Sequence, residues 1–156
     1  MKIKHLLLIV CLLCSSFISA QKSGFNSLFD KYQNEDDITV ISISKAMFNL
    51  FPGNINLNID IRNIVPKIEY LRVITTANRN LNKQMALEFK SLIDKDKTYE
   101  ELMRIKEGGS NITFNIKKNG DIINELIMLI NENDEFVAIQ ILGNFTIEDI
   151  QKISKR

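Results

Sequence analysis

Phe25, Leu28, Phe29 and Tyr32 recur at the three- and four-residue spacing of one helical face, which predicts a short amphipathic helix over residues 24–33. The polar run Asn34-Glu35-Asp36-Asp37 ends it. In residues 38–44, Ile38 and Val40 fall on one side and Thr39, Ile41 and Ile43 on the other, the pattern of a strand with little exposure. Ser44 is placed to cap a helical turn carrying Ala46, Met47, Phe48 and Phe51, stopped by Pro52-Gly53. Asp60 is expected to cap a second short helix with Ile61, Ile64, Val65 and Ile68 on one face, made irregular by Pro66. Residues 70–75 have strand composition, and Leu81, Met85, Phe89, Leu92 and Ile93 form the clearest helical stripe of the chain.

After Lys97 the period becomes two. Residues 99–106 admit either strand or helix, and Gly108-Gly109 reads as the turn after them. Ile112, Phe114 and Ile116 alternate with Thr113, Asn115 and Lys117, and Asn119-Gly120 is expected to supply the positive backbone angles of a two-residue hairpin loop. Residues 122–130 and 136–142 are the next strands, joined by the polar residues 131–135. Thr146, with Asp149 three positions later, marks a final helix whose Lys152, Lys155 and Arg156 favour its negative end. The expected fold class is α+β: an antiparallel sheet with a C-terminal strand meander, packed by several short helices and one longer helix.

Residues 1–20 read as an export leader. Lys2 and Lys4 make the positive start, residues 6–13 the apolar stretch, and residues 15–20 the polar, small-residue approach to cleavage after Ala20. A retained anchor needs about 20 apolar residues, and this stretch is shorter and broken by Ser15 and Ser16. Lipid attachment needs a small residue before the cysteine, whereas Cys14 follows Leu13 and Cys11 follows Val10. The expected mature protein is therefore a single domain over residues 21–156, periplasmic or secreted, with no transmembrane span after cleavage.

Cleavage changes the chemistry available. The one histidine, His5, and both cysteines leave with the leader, and the chain has no tryptophan. That excludes thiol and imidazole nucleophiles, cysteine or histidine zinc sites, disulfides and the usual near-neutral proton shuttle. Loss of Lys2 and Lys4 leaves 18 basic against 19 acidic side chains, a net charge of −1, so no bulk field draws nucleic acid or an anionic membrane. Asn56, Asn58 and Asp60 match the start of a calcium loop, but its sixth position is Ile61 instead of glycine and its twelfth is Lys67 instead of glutamate. The acidic runs at 35–37 and 131–135 read as solvated turns, and Gly108-Gly109 lacks a phosphate-loop pattern. No catalytic, cofactor-binding or metal-binding residue is assigned, and no cofactor is expected.

Residues 122–130 set Leu126, Met128 and Ile130 against Ile127 and Leu129, and in residues 136–142 Val137, Ile139 and Ile141 stand opposite Phe136, Ala138 and Leu142, with Gln140 the one polar interruption. A strand solvated on one side alternates apolar with polar, so these strands are expected to be covered on both faces, with Ile127 and Ile139 both buried. The protein's own helices are the favoured cover; the alternative is a patch for an envelope protein, an apolar ligand or a second copy.

Ser44-Lys45-Ala46-Met47 after a strand, residues 71–75 before a helix, Tyr99-Glu100-Glu101-Leu102-Met103 with Gly108-Gly109 downstream, and Leu142-Gly143-Asn144-Phe145 leading into Ile147-Glu148-Asp149-Ile150 resemble, in order and spacing, the domain of unknown function family numbered 4252. The resemblance spans nearly the whole chain after the leader. It implies an exported protein of Bacteroidota-type bacteria and carries over no activity, cofactor or site residue. Two function classes follow. The favoured one is a non-catalytic exported envelope protein that binds a protein partner or apolar ligand. The other is a carboxylate-dependent hydrolase, because paired acids alone hydrolyse glycosides. Two acids facing across a cleft would mark the second, and an apolar patch without them the first.

Overall fold

The computed structural model of the protein describes residues 24–50 and 64–154. The leader, Phe51, Pro52-Gly53, the Asp60 cap, the Asn56-Asn58-Asp60 pattern, Lys155 and Arg156 lie outside the described residues. In chain order come helix α1 (Gly24–Tyr32), strand β1 (Thr39–Ser44), helix α2 (Lys45–Leu50), a 3-10 turn (Val65–Lys67), β2 (Ile68–Thr76), α3 (Arg79–Lys95), β3 (Glu100–Glu107), β4 (Ser110–Asn119), β5 (Ile122–Asn131), β6 (Phe136–Phe145) and α4 (Ile147–Ser154). The strands form one antiparallel sheet in the order β1-β2-β6-β5-β4-β3, so the architecture is α+β.

Helix α3 forms where the stripe of Leu81, Met85 and Phe89 predicts it. Asn78 caps it, its side-chain oxygen accepting from the Asn80 and Leu81 amides at 3.0 and 3.3 Å. With α1 it seals one face of the sheet, burying Ile74, Ile127, Leu129, Phe136 and Ala138 against Phe25, Phe29, Tyr32, Met85 and Phe89. Phe89 is the hub: its ring centroid lies 5.1 Å from Phe25, edge to face, and 5.4 Å from Phe136. Fully burying such side chains contributes roughly 1.5–3 kcal/mol each, the main force holding the two helices on the sheet.

The opposite face is covered at one end only, among the described residues. There α2, the 3-10 turn and α4 bring Phe48, Ile64 and Ile150 onto Ile68, Ile116, Ile123 and Phe145. Helix α4 starts on the pair read from the sequence. The Thr146 amide and hydroxyl donate to Asp149 Oδ2 at 2.8 and 3.1 Å, and the Asp149 amide donates back to Thr146 Oγ1 at 3.3 Å. Lys67 Nζ, 2.7 Å away, adds an ion pair that holds the buried Asp149 carboxyl well below its usual range, at about 2.

Several expectations are corrected. Strand β1 is an edge strand and mostly exposed, because β2 alone pairs with it among the described residues; Val40 and Ile43 are partly buried and Ile41 is 48% exposed. Ile68 opens β2 and does not sit on a helix, since Pro66 leaves room for one 3-10 turn. Asn119 pairs with Ile122, so the hairpin loop is Gly120-Asp121 and not Asn119-Gly120. Gly120 alone takes positive φ (60°), as the first loop position of a II′ turn requires. In β4 it is Thr113 and Asn115 that are buried on the helix side, whereas Ile112 and Phe114 face the other way and are only half-buried. Ile127 is fully buried, but Ile139 is half-buried, because nothing among the described residues caps its part of the sheet.

Candidate functional site

The strand register arranges the outer face of the sheet in rows that cross all six strands. One row reads Ile41, Val73, Ile139, Met128, Phe114 and Met103, each directly paired with the next. The row beside it reads Thr39, Thr75, Val137, Ile130, Ile112 and Ile105. A third row, with Ile43, Leu71, Ile141, Leu126 and Ile116, lies under α2, the 3-10 turn and α4. Two rows therefore stand open among the described residues, without a charged side chain and with Thr39 and Thr75 as their only polar members.

Exposure in these rows rises toward the edge strands. Met103 is 45% exposed and Ile105 41%, while the interior positions are half-buried by their own neighbours. Strand spacing of about 4.8 Å over six strands and two rows gives a patch on the order of 350 Å² in projection. Patches of this size on a protein surface frequently mark interaction sites. The sequence showed the apolar content of β5 and β6; it did not show that their partners in the register, Val73, Phe114 and Ile112, continue the same face.

Acidic residues are distributed differently. Glu125, buried on the helix side, accepts from the fully buried Gln140 at 2.7 Å, which accounts for the polar interruption of β6. Lys117 Nζ lies 2.7 Å from Asp96, 3.9 Å from Glu125 and 4.2 Å from the Tyr99 ring centroid, and its hydrogen bond, with those of Thr98, lowers the Asp96 pKa to about 2. Asp149 is held by Lys67 at the other end of the molecule. These acids are engaged in bonds that hold the fold together.

Asp94 and Glu101 do line one narrow cleft, between α3 and strands β3 to β6, with internal room of about 70 Å³. Asp94 is paired with Lys90 one helical turn away, and Glu101 accepts Arg104 Nε at 3.0 Å and the same guanidinium's second nitrogen. The Arg104 hydrogen bond pulls the Glu101 pKa down. A glycosidase acid needs the opposite shift, so that its proton is held near neutrality. No group of histidine, cysteine or acidic side chains among the described residues is placed to hold a metal ion. No helix among them is long and apolar enough to cross a membrane.

An antiparallel six-stranded sheet, with two helices packed on one face and two rows of the other left open among the described residues, defines an α+β protein. The chain belongs to the family described as Domain of unknown function (DUF4252), whose model matches residues 32–153. That span holds all six strands and α3. No match is found among the curated proteins or among the solved structures.

Proposed function

We propose that this is a non-catalytic exported envelope protein that docks the apolar surface of a protein partner on the two open rows of its sheet. The observation that carries this reading is the row from Ile41 to Met103, apolar across every strand and uncharged. Small apolar ligands are held in concave sites, whereas a broad sheet face is matched by another broad surface, as in sheet-on-sheet packing. Export rests on the leader pattern, and intact mass of the exported protein tests it: a mature chain beginning at Gln21 is expected, and a retained leader or a lipid adduct on Cys14 contradicts it. The hydrolase reading has less support, because both acids of the cleft are engaged by basic neighbours and the Glu101 pKa is lowered.

The docking face is tested with a photoreactive residue at Met128, on the open row, and at Leu87, which is 71% exposed on the outer side of α3. In the intact envelope, position 128 is expected to give one discrete protein adduct and position 87 none. Adducts of equal yield from both positions, or none from 128, contradict the proposal.

A further inference from the structure

The two edges of the sheet are built differently. Strand β3 carries Glu100, Glu101, Arg104, Lys106 and Glu107, and its pairing with β4 is interrupted between Glu101 and Met103. Charges and bulges of this kind keep an edge from pairing with another chain. Strand β1 has neither. From Thr39 to Ser44 it is uncharged and free of proline, and it pairs with β2 in unbroken register. Among the described residues nothing pairs with its other side, so every second residue there turns its N–H and C=O outward, and Ile41 is 48% exposed beside them.

The charges lie just beyond the ends of β1. The exposed run Glu35-Asp36-Asp37 precedes it, with Asp37 accepting from Asn78 Nδ2 at 2.7 Å, and the exposed Lys45 follows it. A strand that is neutral in the middle, acidic before and basic after is complementary to itself when antiparallel. A parallel copy would set like charges side by side.

We infer that β1 is a dimer interface, pairing antiparallel with β1 of a second copy so that the two sheets become one. Opposite residues of such a pair share a face, so the two-fold axis passes through a residue of the strand. An axis at Ile41 sets Ile41 against its copy, Thr39 against Ile43 and Val40 against Ser42, and it brings Lys45 of each chain to Asp37 of the other. An axis at Val40 pairs only residues 39–41, and one at Ser42 sets Lys45 against Thr39. The end charges therefore choose the Ile41 register; exposed pairs of this kind fix orientation more than they add affinity, and the strand bonds hold the dimer. The outer row that ends at Ile41 then runs on into the same row of the second copy. The edge and the open rows are separate surfaces: a monomer says nothing against the adduct from position 128, and loss of that adduct says nothing against the dimer.

The test is sedimentation equilibrium of the exported protein, expected to begin at Gln21, across the micromolar range. A dimer is expected, weakened about tenfold by Ile41→Lys, which sets two like charges face to face on the axis, and unchanged by Ile105→Lys on the β3 edge, where Ile105 is 41% exposed. Should Ile41→Lys fail to fold, Ile41→Cys gives a second reading. The chain from Gln21 on holds no cysteine, and residues opposite each other in an antiparallel pair lie close enough for a disulfide, so mild oxidation is expected to link two chains through Ile41→Cys and not through Ile105→Cys. A monomer throughout that range overturns the proposal. So does a dimer that Ile41→Lys leaves intact, one that Ile105→Lys abolishes, or equal cross-linking from both positions.

Discussion

Gly143 is the position where the smallest change should have the largest effect. It lies in β6 opposite Ile68, beside the irregular pairing between Ile68 and Tyr70, and its φ is not positive, so its backbone conformation is open to any residue. Its constraint is space. A Cβ built there stands 2.3 Å from the Lys67 carbonyl oxygen and 3.2 Å from Ile68 Cα, both backbone atoms that no side-chain rotation can move. Relief requires the 3-10 turn to part from the sheet, which disturbs Ile68, Ile64 and the Lys67–Asp149 ion pair together. Overpacking typically costs about 1–3 kcal/mol, and with the Lys67–Ile68 backbone as the obstacle Gly143→Ala belongs at the upper end, about 3 kcal/mol. Against a usual total of about 5–15 kcal/mol this is a large share. At about 2–4 °C per kcal/mol, the melting midpoint falls by roughly 6–12 °C in a thermal scan followed by circular dichroism. Gly24→Ala is the control. Its Cβ meets Leu92 Cδ1 at 2.9 Å, but that is the end of a flexible side chain, and alanine is the better helix former, so stability is expected to stay within about 1 kcal/mol of the parent. Equal melting of Gly143→Ala and the parent would refute the steric reasoning.

Other consequences follow from the caps and the ion pair. The Asp149 pKa is lowered from 3.8 to about 2, so the carboxylate contributes about 2 kcal/mol above pH ~4, lost as pH falls from 4 through 2. Urea unfolding at pH 5 and pH 2 is expected to show a larger acid loss for the parent than for Asp149→Ala; equal losses contradict the pairing. Asn78→Ala removes the α3 cap and is expected to lower stability by about 1 kcal/mol, with Asn78→Ser recovering most of it in the same denaturant assay. Asp96→Asn loses less than Asp149→Ala on the same scale, because Asp96 is about one-third exposed and its pairing with Lys117 is screened by solvent.

Local pattern made much of the fold legible. The helical stripe of α3, the period-two strands from β4 onward and the Thr146–Asp149 cap depend on near neighbours, and the structure forms them where residue spacing places them. What the sequence left open depends on pairing between distant segments. Residues 38–44 are as apolar as a central strand, yet β1 lies at the edge because β2 pairs with β6 on its other side. The hairpin moved by one residue because glycine takes the first loop position and leaves Asn119 in the ladder. Gln140 looked like a defect in an apolar strand until the sheet brought Glu125 to its amide. The candidate face is the clearest case: β5 and β6 are apolar on both sides in sequence, but only the order of strands and the position of α1 and α3 decide which side is sealed.

That asymmetry is tested most directly by placing the same charge on its two sides. Ile127→Asp puts a carboxylate among Phe89, Phe136 and Ala138 at a fully buried position, and Ile139→Asp puts one at the centre of the open row. Both are read by thermal melt and by the adduct formed from position 128 in the envelope. Ile127→Asp is expected to lose several kcal/mol and its cooperative melt, while Ile139→Asp melts cooperatively near the parent and loses the adduct. If Ile139→Asp unfolds like Ile127→Asp, or folds and still forms the adduct, the open face is not the docking surface.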